Sequence, residues 1–363
     1  MELNAGVVPT EEGALTTELK LELEDLRLNL ATVSTEFEQI SKSNSEHETN
    51  DTPSGAIKAA AIGGLFSLVQ DVALTTVTKD RSRCSNLWGN AIQAAKKSGE
   101  THTAERAFHA SEVSIRHLAG THEAKNVGFV CHGFMTSDFE DAAHLWKGWA
   151  ESLDMILYRI IWPTGSQATW DQFLKKTTVD PKQWFAQLTS NPWHVAQDKT
   201  VQVGQVLARF FETKREELTC FKGRKTFLIG HSLGGAIVYH TLRHAKSNGI
   251  VDHAIVLAGA FLPRKESILN VLGRVNGIFI NVYSKNDQIL QTAFRAVNLN
   301  AAQAAGNIPI LVAKDIAENA ARQKIFDLDM TSFIPANEST LYGHHYSEND
   351  LLVIASKIMA LVQ

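Results

Sequence analysis

Apolar positions near the start of the chain fall in a repeat of seven. Leu19, Leu23, Leu26, Leu30, Val33, Phe37 and Ile40 are separated alternately by four and three residues, which draws one stripe along a helix. Leu21 and Leu28 widen that stripe, and Glu18, Glu22, Glu24, Asp25 and Glu36 are expected to keep the other side acidic. The pattern predicts a heptad-like helix within residues 1–40. Its seam can pack on its own protein, or take a partner helix or a second copy through residues 15–40. Residues 41–55 hold almost nothing to bury and predict a flexible linker. From 56 to 122 the period stays helical, without strand-like alternation, so this region is expected to be all helix. Its most apolar run, residues 59–69, is about 11 residues long, against the roughly 20 that a membrane span needs.

The pattern changes from residue 123. Short apolar runs at 126–131, 155–162, 225–229, 253–258, 277–283 and 325–330 alternate with helix-periodic stretches at 138–152, 196–218, 236–247, 314–323 and 348–362. This alternation predicts a mostly parallel sheet with helices on both faces, and in such sheets sites lie at the carboxyl ends of the strands. At the middle of the region an apolar strand runs into Gly230-His231-Ser232-Leu233-Gly234-Gly235, and a periodic helix follows. A serine at the apex of such a strand–turn–helix needs neighbours without side chains, because the two backbones cross closely there. The new helix also aims its free N–H groups at the serine, which suits a developing oxyanion.

This stretch resembles the nucleophile elbow of the α/β-hydrolase superfamily, in particular its lipase- and esterase-like members. The resemblance implies an α/β-hydrolase fold over residues 123–363, preceded by an all-helical amino-terminal region that it does not cover. It also implies a cap over the site, built from the Trp-rich segment at 146–195. Six of the seven tryptophans lie between 146 and 193, either as a lining for an apolar group or as glue between cap and sheet.

A serine hydroxyl needs a base, and the base needs an orienting acid. In the superfamily the chain order is serine, acid, histidine. Asp287 follows the run at 277–283 by a short loop and is the expected acid. Glu266, farther beyond the preceding strand, is the alternative. His344 follows a glycine before the final helix and is the expected base, with its neighbour His345 as the alternative. The resemblance implies oxyanion donors from the backbone of Leu233 and of Phe134, the latter in the turn His132-Gly133-Phe134. Met135, Trp162 and Trp170 are candidate walls of an acyl pocket. The expected chemistry is hydrolysis of a carboxylic ester, most simply a lipid or acyl ester, through an acyl-enzyme. A peptidase or thioesterase could use the same parts, and a non-catalytic interaction protein acting through the amino-terminal helices is the reading from another class.

Composition narrows the partners. The formal net charge of −4 gives no basis for nucleic-acid binding. Cys84, Cys131 and Cys220 are too few and too scattered for a disulfide framework or a zinc site. His240 and His244 sit four apart without the glutamate of a zinc-protease helix, and Asp138, Glu140, Asp141 and His144 cluster without ligand spacing, so no metal and no cofactor is expected. With no basic-then-apolar start and no spanning run, the expected location is cytoplasmic, with peripheral membrane contact and signal-independent export left open.

Overall fold

The computed structural model of the chain describes residues 15–48, 108–134, 143–164, 192–294, 303–310, 324–337 and 342–362. Seven strands form one sheet: β1 (Ser114–Ala119), β2 (Asn126–Cys131), β3 (Met155–Ile161), β4 (Lys225–His231), β5 (His253–Leu257), β6 (Phe279–Tyr283) and β7 (Ile325–Asp329). Their order across the sheet is β1-β3-β2-β4-β5-β6-β7. All neighbours are parallel except β1, which runs antiparallel to β3. The central strands read as unbroken apolar runs because helices cover both sides. Strands β5 and β6 are buried at every position.

Six helices are described: α1 (Thr17–Glu48), α2 (Ala143–Ser152), α3 (Pro192–Lys214), α4 (Leu233–His244), α5 (Lys265–Gly273) and α6 (Glu348–Val362). Helices α1, α3, α4 and α5 contact one another in that order, and α2 packs on α6. An aromatic cluster of Phe129, Phe210, Phe211 and Phe221 fastens α3 to β2, with ring centroids 5.2 to 6.4 Å apart. Each such ring, fully buried, contributes about 1.5–3 kcal/mol.

The amino-terminal helix takes the first of the two uses open to its seam, and two other expectations need correction. The heptad seam is covered by the chain's own domain: Leu19, Leu23, Leu26, Leu30 and Val33 are buried in the common core, while Leu21 and Leu28 are exposed. A seven-residue stripe accepts any apolar surface, and here β1 and α3 provide it. Helix α1 also runs on to Glu48, through 41–48 of the expected linker, whose remainder, 49–55, lies outside the described residues. Polar residues without glycine or proline do not stop a helix, and Glu38 pairs with Lys42 one turn later at 2.6 Å. Finally, residues 114–119 are strand, not helix. The alternation that would betray β1 is broken by a register shift between His117 and Ala119. The rest of the expected helical region, up to residue 107, lies outside the described residues, as does the expected helix at 314–323.

Glu22 was expected to face solvent, yet it is only 3% exposed. Arg224 Nη1 donates to both of its oxygens at 2.9 and 3.1 Å, and His122 Nδ1 lies 2.8 Å away. The Tyr158 hydroxyl donates to it as well. Arg224 Nε further donates to the Ala124 carbonyl at 3.1 Å. Helix α1 is thus tied to the amino ends of β2 and β4 by a charge that cannot be left unpaired. Removing one partner of a buried pair costs about 3–5 kcal/mol, because the other charge stays buried alone. Glu22→Ala should therefore lower the unfolding free energy by about 3 kcal/mol in urea titration, whereas Glu24→Ala on the same helix should leave it nearly unchanged.

Two buried histidines, His132 and His253, and the half-buried His240 make the fold acid-sensitive. Burial lowers His132 and His240 to about 3, and it lowers His253, stacked 4.6 Å from Phe227, to about 4. All three stay neutral when folded and take up protons near pH 6.5 when unfolded. The unfolded chain therefore binds more protons below about pH 6.5, and stability falls as pH drops from there towards 4. Each histidine contributes up to about 1.4 kcal/mol per pH unit in that window. Urea titrations at pH 7, 6 and 5 should show the loss, and His253→Gln should make the slope shallower by up to one proton.

Candidate active site

Ser232 follows β4 directly and opens α4 with φ 57° and ψ −120°. A serine gains nothing intrinsically from positive φ, and such strain of about 1–3 kcal/mol persists only where the surroundings enforce it. Here the backbone crossing enforces it. A Cβ on Gly234 would lie 1.8 Å from the Cys131 carbonyl oxygen, and one on Gly230 would lie 2.3 Å from the Gly234 carbonyl oxygen. The loop leaving β5 grips the serine backbone from outside: Ser232 N donates to the Leu257 carbonyl at 2.9 Å, and Ala260 N donates to the Ser232 carbonyl at 3.0 Å.

Four expected site residues come together at this elbow. Ser232, 2% exposed, lies with its Oγ 2.8 Å from Nε2 of His344. Nδ1 of His344 donates to Oδ2 of Asp287 at 2.7 Å. A carboxylate only accepts, so the proton sits on Nδ1 and Nε2 is left to accept from the serine hydroxyl. The fourth is Leu233, whose amide begins α4, where the first N–H groups have no intrahelical acceptor.

Asp287 is fully buried in the loop after β6, and its second oxygen, Oδ1, accepts from Leu290 N at 2.9 Å. The loop is stiffened by Asn286, whose Nδ2 donates to the Thr331 and Ile334 carbonyls at 2.8 and 2.9 Å. Glu266, the alternative acid, lies on α5 beyond β5, and Asp287 is the acid that meets His344. The base arrives on a left-handed turn: Tyr342 has φ 55° and Gly343 φ 86°. A Cβ on Gly343 would lie 2.4 Å from the Asn286 carbonyl oxygen, so glycine there lets the two loops touch. His345, the alternative base, is exposed on the next position, 6.3 Å ring to ring from His231.

On the other side of the serine, Gly133 is in contact: a Cβ there would lie 2.7 Å from Ser232 Cβ. Phe134 follows it and is buried. Trp162, expected as a pocket wall, is itself buried, and its indole N–H donates to the His132 carbonyl at 3.0 Å. It anchors the turn that carries Gly133 and Phe134. Trp146 and Trp149 are likewise buried, 5.3 Å apart, and Trp146 meets the His132 ring edge-on at 5.9 Å. These three rings act as glue, the plainer of the two uses open to them. Met135, Trp170 and most of the expected cap lie outside the described residues.

His231 was missed in the sequence. Its Nε2 donates to the His344 carbonyl at 3.0 Å, and its ring packs 5.6 Å from Tyr346. Burial, followed by the neighbouring charges of His344 and His345, holds it well below the usual histidine range, so it is a neutral donor. Its position one residue before the serine was visible. The carbonyl it reaches, 113 positions later, was not.

Residues 167–332 match a family described as "Protein of unknown function (DUF726)". Among curated relatives, "Uncharacterized membrane protein C6F6.13c" of Schizosaccharomyces pombe is 30% identical over 125 residues, 33% of this chain and 15% of that protein. "Transmembrane and coiled-coil domain-containing protein STS1" of Oryza sativa is 26% identical, covering 59% of this chain and 39% of that protein. "Probable lipase MIL1" of Saccharomyces cerevisiae is 25% identical, covering 40% of this chain and 13% of that protein. The chain therefore aligns with well under half the length of each. Two of them are named as membrane proteins, which overturns the expectation of a cytoplasmic location. Among the described residues no helix is long and apolar enough to cross a membrane. A parallel sheet with one antiparallel edge strand, turned around a serine elbow at its centre, gives this chain the α/β-hydrolase fold.

Proposed function

We propose that the chain is a serine hydrolase that cleaves carboxylic esters through an acyl-enzyme. The observation that carries this reading is the continuous relay from Ser232 Oγ through His344 to Asp287, with links of 2.8 and 2.7 Å. In the first half-reaction Ser232 Oγ bonds to the ester carbonyl carbon as its proton passes to His344 Nε2. The backbone amides of Leu233 and Phe134 receive the oxyanion. The tetrahedral intermediate then breaks its bond to the leaving oxygen, which takes the proton from His344 and departs as the alcohol. Water repeats the sequence, and the acid and free Ser232 are released. Asp287 holds the imidazole in the productive tautomer and stabilises its cationic form.

An acyl or lipid ester is the preferred substrate class. A relative named as a probable lipase supports it, and relatives named as membrane proteins fit an ester presented at a lipid surface. The alternative of an interaction protein working through its amino-terminal helix loses support from the burial of that helix's seam against its own domain.

Incubation with a fluorophosphonate probe should label the wild type, and Ser232→Ala should abolish labelling. With p-nitrophenyl esters, Ser232→Ala and His344→Ala should each lower kcat/KM by about 10⁴-fold or more, while His345→Ala should change it by less than about tenfold. Unlabelled wild type, or Ser232→Ala that still turns over, would overturn the proposal. Esters of graded chain length, run beside thioesters and peptides, identify the substrate class.

A further inference from the structure

Ser232 and Asp287 leave the sheet from β4 and β6, with β5 between them. One short segment touches the loops of both. The 3-10 turn Ala305–Asn307 is buried throughout. On the serine side, Gly306 N donates to the Gly259 carbonyl at 3.0 Å, and Ala305 N donates to the Phe261 carbonyl at 2.9 Å. These carbonyls belong to the same β5 exit loop that grips the Ser232 backbone. On the acid side, Ser284 N donates to the Gly306 carbonyl at 3.0 Å. The side chain of Asn307 then reaches into the acid loop, where Nδ2 donates to the Ser284 carbonyl at 3.2 Å and to the Asp287 carbonyl at 3.0 Å. The turn is seated from below by Asn281 of β6, whose Nδ2 donates to the Ala305 and Ile308 carbonyls at 3.2 and 3.1 Å. Its closeness to β5 requires glycine: a Cβ on Gly306 would lie 2.4 Å from the Ala258 carbonyl carbon.

We infer that Asn307 is a positioning residue for the acid of the relay, bracing the Asp287 backbone against the loop that holds the nucleophile. The inference rests on the function proposed above. The carboxylate of Asp287 has one oxygen on Leu290 N and the other on His344. Its aim at the imidazole therefore depends on where its own backbone sits. That backbone lies in a short loop outside the sheet ladder; its carbonyl accepts from Gln291 N at 3.2 Å within the loop, and Asn307 is the side chain that ties it to a different segment. An amide NH₂ carries two donors and can bridge two carbonyls. Alanine offers none, an ionised aspartate cannot donate, and serine offers one. The side-chain hydrogen bonds of Asn307 go to the Ser284 and Asp287 carbonyls, so it reaches the relay through the acid loop.

The test compares Asn307→Ala with wild type in the presence and absence of Asp287→Asn. Turnover of p-nitrophenyl butyrate is normalised to sites titrated with fluorophosphonate. Asn307→Ala is expected to lower kcat roughly 10- to 100-fold, the scale of a small misplacement, with KM within about twofold. In the Asp287→Asn background the same change should cost less than about twofold, because the acid it positions is already disabled. An equal loss in both backgrounds overturns the inference. A second readout needs no turnover: the low-field proton resonance of His344 Nδ1–H, assigned by its absence in His344→Ala. It should shift or broaden in Asn307→Ala, and an unchanged resonance in the folded variant overturns the inference. If Asn307→Ala does not fold, Asn307→Ser, which keeps one donor, carries the same comparison. Wild type that takes no fluorophosphonate but whose resonance responds to Asn307→Ala would remove the ester-hydrolase reading and keep the brace. Neither labelling nor response would remove both.

Discussion

Everything at the site follows from one crowded crossing of backbone. The peptide planes of Gly230 and Gly234 approach each other, and Gly234 in turn faces the Cys131 carbonyl at the end of β2, with no room for a methyl group at either position. That contact bends the chain so sharply that the residue at the apex must take positive φ. The same bend starts a helix immediately after the apex, so a serine hydroxyl, the first amide of a helix and that helix's amino terminus occupy one spot. Strain held by packing of this sort is a means of preorganisation: it sets the Cα–Cβ direction from which the hydroxyl reaches His344. The surroundings are arranged to keep it so, with β5 gripping the serine backbone and Gly133 lying against the serine side chain.

The two partner loops use different physics to reach the same place. The acid loop is held by side-chain amides, Asn286 on one flank and Asn307 on the other, which serve carbonyls that no sheet ladder can satisfy. The base loop is held by conformation, a left-handed pair at Tyr342 and Gly343, and by the neutral imidazole of His231 on the His344 carbonyl. A neutral donor suits that role. A charged one beside His344 would oppose a positive charge on that ring, which the proposed mechanism requires.

Much of this was legible in the sequence because it depends on local order along the chain. Strand runs, helix periods and the glycine spacing around Ser232 are properties of adjacent residues, and among the described residues from 123 onward they specified their elements to within a few positions. Asp287 and His344 could be chosen from their distance past a strand end and from the glycine before the histidine. What could not be read depends on contacts between distant segments. Glu22 sits at an ordinary polar heptad position, and only the arrival of Arg224 and Tyr158, 202 and 136 positions away, makes it a buried charge. Asn307 looks like any loop asparagine until the loop of Asp287 is placed beside it. Strand β1 was missed for a different reason: its bulge erases the period-two signal that identifies a half-buried strand.

Strand β1 also changes where the domain can be said to begin. It is the antiparallel rim beside β3, and α1 lies over it, with Arg27 Nε donating to the Ile115 carbonyl at 2.8 Å. A shortened chain starting at residue 123, where the strand–helix alternation first becomes readable, would bare the whole flank of β3. An uncovered apolar strand is a template for pairing with other molecules, so such a fragment would self-associate into aggregates even with every residue of the serine relay intact.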